Sequence, residues 1–225
     1  MHAVTESASG SVDYILFDLD GTLYSARWGL EKNVSRRVNE YIARYLKLPM
    51  EEAWALRKER MRARNYGTTL EWLRSEKGFD EAETERYLAY IHPEDEADAL
   101  PPDPALRSLL LSLGPPRAIL TNSPREHALR ILNKLELADL FPLIFDIRRN
   151  GLKGKPDPGV YGAVCAELGT RPGSCMLVDD VVRYVEGFRA LGGLGVYFDE
   201  NNSRPEFPGP RIQKLEELKA LTGEV

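Results

Sequence analysis

The stretch Tyr14-Ile15-Leu16-Phe17-Asp18-Leu19-Asp20-Gly21-Thr22 decides the fold. Four apolar residues in an unbroken run suit a strand buried on both faces, as in a parallel sheet covered by helices. The run then turns into two carboxylates, a glycine and a threonine. Side chains two apart on an extended chain point the same way, so Asp18 and Asp20 leave the carboxyl end of the strand together. That edge is where open α/β sheets bind ligands. Two adjacent negative charges are costly unless a cation or a shared proton relieves them, so the turn predicts a site.

Further short apolar runs lie at 118–120 (AIL), 143–145 (LIF), 176–178 (MLV) and 194–198 (LGVYF). Helical patterns fall between them at 124–134, 160–168 and 182–191. The first has Pro124 in its opening turn and Ser123 placed to cap it, and the other two end at or near glycine (Gly169; Gly192 and Gly193). Alternation of strand and helix predicts βαβ units and a doubly wound, Rossmann-like parallel sheet. Residues 28–100 break the rhythm: four helical patterns (33–46, 49–64, 69–77, 80–91) and no strand. The cluster Pro101, Pro102, Asp103, Pro104 punctuates the return. The expected organisation is a disordered lead-in at 1–11, an α/β core at 12–26 and 101–225, and an all-helical cap at 27–100.

Composition sets outer limits. The chain has 225 residues, 43% hydrophobic and 29% charged, the balance of an ordinary globular protein. Net charge is −5, which argues against a surface built for DNA or RNA polymers. No apolar run approaches the ~18 residues of a membrane span, and the first residues lack the pattern of a signal peptide. Two cysteines, Cys165 and Cys175, exclude a disulfide framework and suit the reducing cytoplasm. No obligate protein partner is indicated. Within the insertion, residues 36–64 hold nine Lys/Arg against four acids, a basic stretch suited to drawing in an anion.

Three more features fall at strand ends. Asp179 and Asp180 follow MLV, and with Asp18 and Asp20 they make a hard-oxygen set suited to Mg²⁺. Thr121 and Asn122 follow AIL directly before a helix, where a hydroxyl beside free backbone N–H groups forms a phosphate pocket. Lys155 sits in the loop Gly154-Lys155-Pro156-Asp157-Pro158, stiffened by its prolines. One ordered lysine there would neutralise the carboxylates and hold a phosphoryl oxygen; Lys153 competes but has no proline beside it.

The ordered set DLDGT (18–22), ILTN (119–122), GKPDP (154–158) and LVDD (177–180), with a helical insertion after the first, resembles the haloacid dehalogenase-like phosphatases. The stretches DLDGTLYS, RNYGTTLEWLR (64–74), the run from Pro102 to Leu113 and TNSPREHALRIL resemble its pyrimidine 5′-nucleotidase-like branch. One departure stands out. Relatives follow the acid pair with Ser and, three residues on, with Asn or Asp; here Val181 and Tyr184 occupy those positions.

The resemblance implies a Mg²⁺-dependent phosphatase acting on a small phosphate monoester, a pyrimidine nucleoside 5′-monophosphate within the named branch. Asp18 would be the nucleophile and form an aspartyl-phosphate. Asp20 would protonate the leaving oxygen and then activate water. Metal ligands would come from the Asp18 carboxylate, the Asp20 backbone carbonyl and the Asp179/Asp180 pair. Thr121, Asn122 and Lys155 would bind the transferring oxygens. Trp28, Tyr66 and Trp72 offer faces for a base to stack on, unless they form the insertion's own core. A sugar phosphate is the alternative substrate. The dehalogenase branch lacks an acid at the position of Asp20, and a silent binding module would rest on Val181 and Tyr184 alone.

Overall fold

The computed structural model describes residues 12–63 and 66–222, so the predicted lead-in at 1–11 and Arg64 of the basic stretch lie outside it. Strands β1 (Tyr14–Phe17), β2 (Arg117–Leu120), β3 (Ile144–Phe145), β4 (Cys175–Asp179), β5 (Leu194–Phe198) and β6 (Arg211–Ile212) form one sheet. Every pairing is parallel and the order is β3-β2-β1-β4-β5-β6. The five apolar runs are all strands; β6 is a two-residue edge strand that no run of apolar residues announces.

Period-two alternation divides the core. Ile15, Phe17, Ile119, Met176 and Val178 face one way, into a cluster shared with α5 (Pro104–Ser112) and α6 (Arg125–Lys134). Leu16, Ala118, Leu120 and Leu177 face the other way, against α7 (Pro158–Glu167) and α8 (Val182–Arg189). The strands are apolar on both faces because helices cover both.

Helices α1 (Leu30–Leu46), α2 (Met50–Ala63), α3 (Thr69–Lys77) and α4 (Glu81–Ile91) run between β1 and α5 and bury a separate cluster around Tyr41, Ile42, Trp72, Leu73, Tyr87 and Leu88. Three contacts seat them on the sheet's carboxyl edge. Arg183 donates to the Gly67 carbonyl at 3.2 Å, and Arg148 meets Glu85 of α4 at 2.6 Å. At the third, a Cβ on Gly67 would stand 2.7 Å from the Gly154 carbonyl, so the two backbones approach as closely as glycine allows. Among the described residues no helix is long and apolar enough to cross a membrane.

The chain lays β1, β2 and β3 outward in one direction, then returns to place β4 on the other side of β1. Adjacent connections therefore diverge between β1 and β4, the point at which an open sheet leaves a crevice.

Candidate active site

Asp18 and Asp179 emerge side by side at that crevice, from the register Phe17↔Val178. Between them stands Lys155, fully buried, with Nζ 2.6 Å from Asp18 Oδ1 and 2.6 Å from Asp179 Oδ2. The fit depends on the loop before α7. Lys155 N–H donates to Asn122 Oδ1 at 2.7 Å, and Asn122 Nδ2 donates to the Lys155 carbonyl at 3.2 Å, so both ends of the amide clamp the lysine backbone. Lys153 points outward, 3.9 Å from Asp157.

The second acid pair divides its labour. Both oxygens of Asp179 are engaged, Oδ2 by Lys155 and Oδ1 by the Val181 backbone N–H at 2.8 Å. No hydrogen bond reaches the Asp180 carboxyl among the described residues, and it faces Gly21. A Cβ on Gly21 would lie 2.5 Å from Asp180 Oδ2, and φ there is +77°, so glycine is required twice over. One oxygen from each of Asp18, Asp179 and Asp180 lies within 4.8 Å of the others. A set of hard oxygens around a glycine cradle fits Mg²⁺.

The departures at 181 and 184 have a physical reading. Val181 supports Asp179 through its backbone, which any residue but proline provides. The Tyr184 ring centroid lies 5.2 Å from Lys155 Nζ, over which it closes, with Arg183 stacked on it at 4.8 Å.

Burial pushes the Asp18 carboxyl up to about 8, against the pull of Lys155. It pushes Asp180 up to about 9, with Asp18 and Asp179 adding to the effect, and raises Asp179 as well. Burial alone would favour a neutral lysine, but Asp179 and Asp18 outweigh it and hold Lys155 above the usual range. Asp18 and Asp180 thus hold protons near neutrality, while Lys155 and the Val181 N–H act on Asp179 in the opposite sense to burial.

Asp20 lies beside this cluster in a different environment. It accepts from Tyr24 Oη at 2.5 Å and His127 Nε2 at 2.7 Å on Oδ1, and from Ser123 Oγ at 2.9 Å on Oδ2. Burial works to raise its pKa, yet the His127 charge and the bonds from His127 and Tyr24 prevail and hold it well below the carboxylate range. His127 is pushed up to about 10, because Asp20 and Glu96 overcome the effect of burial.

Ser123 therefore does not cap α6. Pro124 takes the cap position, and the first helical N–H, that of Arg125, donates to Asp146 Oδ2 at 3.1 Å. The Thr121 hydroxyl is buried beside Asn122 and accepts the Ser123 N–H at 3.0 Å, leaving its own proton to donate. His127 and Tyr24 were not among the predicted site residues. The signal for His127 was its spacing: four residues before Ile131, it shares the inward face of α6 with Ala128 and Ile131.

A cavity of about 330 Å³ opens between the helical insertion and the site. Its lining includes the apolar Val34, Val38 and Met61 and the polar Arg57, Tyr87 and Asn122. Among the described residues of the basic stretch, Arg57 is the cation that lines it. Its Nε donates to Thr69 Oγ1 at 3.0 Å, and its Nη1 to Ser35 Oγ at 3.1 Å and Asn39 Oδ1 at 3.2 Å, all neutral acceptors. Trp72 is fully buried in the insertion's core, and Tyr66 packs against the same cluster. Trp28 lines a separate cavity with Tyr24, Leu106 and Phe198.

A family model of haloacid dehalogenase-like hydrolases matches residues 12–192. The chain belongs to this family. It is 27% identical over 201 residues to the phosphatase MT3486 of Mycobacterium tuberculosis, covering 81% of this chain and 85% of that one. A HAD phosphatase from Thermococcus onnurineus has the same fold, with a TM-score of 0.60, 22% identity and 94% and 98% of the two chains covered. So do the putative HAD-hydrolase YfnB from Bacillus subtilis (0.61, 19%, 94% and 99%) and the L-2-haloacid dehalogenase from Xanthobacter autotrophicus (0.59, 21%, 94% and 98%). Both branches of the family chemistry are thus represented on one architecture. The fold does not choose between them, and the site must.

Proposed function

We propose that this haloacid dehalogenase-like hydrolase is a Mg²⁺-dependent phosphatase that cleaves a small phosphate monoester through an aspartyl-phosphate on Asp18. The observation that carries this is Lys155, buried between Asp18 and Asp179 at 2.6 Å from each, with Asp180 and Asp20 alongside. The named phosphatase among its relatives supports the same reaction.

Asp18 Oδ2 attacks phosphorus in line while Lys155 holds Oδ1 and then a transferring oxygen. The Thr121 hydroxyl donates to another oxygen, and Asn122 serves by fixing the Lys155 backbone. Mg²⁺, held by the carboxylates of Asp18 and Asp180 and the Asp20 backbone carbonyl, would neutralise the cluster and draw charge from the phosphoryl group. Asp179, with both oxygens occupied, orients Lys155. Asp20 gives a proton to the leaving oxygen and takes one from the water that opens the acyl phosphate. The contacts from His127 and Tyr24 favour the ionised form of Asp20, the one required by the second step. Asp20 also favours phosphatase over dehalogenase chemistry, since a halide leaves without a proton.

Helices α1–α4 act as a cap over residues 27–100, closing on the core through Arg183 and Arg148. The leaving group enters the 330 Å³ cavity, a size for one small molecule and not a polymer. Its apolar lining residues, with Arg57 among them, suit a flat body carrying acceptor oxygens. We take a pyrimidine nucleoside 5′-monophosphate as the first candidate, on the branch resemblance and this lining, and a sugar phosphate as the alternative. The two buried free cysteines are compatible with action in the cytoplasm.

The test is kcat/KM with Mg²⁺ for UMP, CMP, AMP, GMP and a set of sugar phosphates, with para-nitrophenyl phosphate as a generic control. Highest values for UMP and CMP support the nucleotidase assignment. A sugar phosphate preferred over all nucleotides overturns that assignment alone, and no turnover of any ester overturns the phosphatase.

A further inference from the structure

The bond from His127 to Asp20 differs from the other two that Asp20 receives, because a chain of support stands behind it. On the far side of the same ring, Nδ1 lies 2.8 Å from Glu96 Oε1. Glu96 also accepts from Arg130 Nη2 at 2.8 Å, and His92 Nδ1 lies 3.0 Å from its other oxygen. Arg130 closes the loop by donating to the His92 carbonyl at 2.9 Å. The side chain of His127 is fully buried, and those of Glu96 and His92 are 2% and 4% exposed.

This group has the composition of a metal site, and one ligand atom from each of His92, Glu96 and His127 lies within 4.8 Å of the others. The Arg130 guanidinium on Glu96 argues against that use, since it supplies the positive charge that a cation would bring. The group works instead as a brace. A carboxylate facing each ring nitrogen requires both nitrogens to donate, which fixes the ring plane: turning it would strand buried carboxylates. Glu96 belongs to the segment 92–103 that returns from α4 to α5, so the brace anchors core helix α6 to the exit from the helical insertion.

We propose that His127 is a positioning residue for Asp20. It fixes the rotation of the Asp20 carboxyl, and through Glu96 makes that orientation depend on the return segment being seated. The inference rests on the phosphatase function proposed above, in which Asp20 moves the proton. His127 touches no reacting atom and acts only through Asp20.

The experiment compares wild type, His127→Gln, His127→Ala and Glu96→Gln on two esters, para-nitrophenyl phosphate and glycerol phosphate, with each substitution also made in an Asp20→Asn background. Aryl oxide leaves without a proton, whereas an alkoxide needs one. His127→Ala should lower kcat/KM about 30-fold on glycerol phosphate, part of the ~10²–10⁴-fold that positioned acid–base groups supply, and less than about 3-fold on the aryl ester. His127→Gln, which keeps a donor on a side chain of similar reach, should recover part of the loss. Glu96→Gln, which keeps its shape if the alanine variant does not fold, should show the same leaving-group contrast at smaller size. In the Asp20→Asn background none of them should lower turnover further. Equal losses on both esters, or the same loss with and without Asp20, would mean that His127 only supports the fold and would overturn the inference. Where wild type does not turn over glycerol phosphate, the best alkyl ester of the nucleotide and sugar-phosphate panel takes its place. Wild-type protein inactive on every ester would instead remove the phosphatase function, and the inference with it.

Discussion

Replacing Lys155 with methionine removes one charge from a site that was built around it. At 2.6 Å and an effective dielectric of about 20, each carboxylate contact is worth about 6 kcal/mol of gross attraction. Most of that offsets the desolvation of the three groups. The loss on deleting one partner of a buried pair is about 3–5 kcal/mol, because uncompensated charge remains. Methionine keeps most of the volume, so packing contributes little. For a protein of this size the change corresponds to a fall in Tm on the order of 10 °C. The deficit should also depend on pH. Without Lys155 the folded cluster must keep an additional proton that the unfolded chain releases near pH 4, at a cost of about 1.4 kcal/mol per pH unit above that. Thermal unfolding followed by circular dichroism in EDTA should therefore show a small deficit at pH 5 and a much larger one at pH 8. Saturating Mg²⁺ should restore part of the loss. A Lys155→Met protein as stable as wild type at pH 8, or equally impaired at both pH values, would refute the electrostatic account of the cluster.

Gly21→Ala combines a left-handed φ of +77° with a Cβ 2.5 Å from Asp180 Oδ2. It should cost about 1–3 kcal/mol of stability and weaken Mg²⁺ binding by titration calorimetry; unchanged affinity would separate Asp180 from the metal. Wild-type protein without metal should lose stability as pH rises from 5 to 9. Asp18 and Asp180, raised to about 8 and 9, hold protons in the folded state that the unfolded chain has released. The contribution of His127, raised to about 10, is complete below about pH 6.5 and is lost as pH climbs toward 10, so it has the same sign. Greater stability at pH 9 than at pH 5 in EDTA contradicts those shifts. Asp20→Asn should slow alkyl esters by about 10²-fold or more while leaving the protein folded, and wild-type rates would remove its acid–base role.

The sheet was legible because burial on both faces makes each central strand a run of apolar residues, and the alternation of Ile15, Leu16 and Phe17 between two clusters is that requirement seen in three dimensions. The meeting of Asp18, Lys155 and Asp179 was legible from their placement at strand ends and in one proline-stiffened loop. Strand β6 was not, since Arg211–Ile212 is too short to carry a period and owes its pairing to Tyr197 and Phe198 beside it. The partners of Asp20 were hidden for another reason. His127 and Glu96 lie 107 and 76 positions along the chain from it, and such contacts exist only after the return segment folds onto α6. Ser123 shows the same limit: a side chain suited to a helix cap is engaged by Asp20.

In the proposed mechanism turnover passes through a covalent phosphate on Asp18. This is tested most directly by quenching the enzyme in acid during turnover of para-nitrophenyl phosphate with Mg²⁺ and mapping the phosphate by peptide mass spectrometry. One phosphate should be found on the peptide that contains Asp18, removable by hydroxylamine as an acyl phosphate is, and absent from the Asp18→Asn protein. Phosphate on another residue, or rapid turnover with Asp18→Asn, would contradict it.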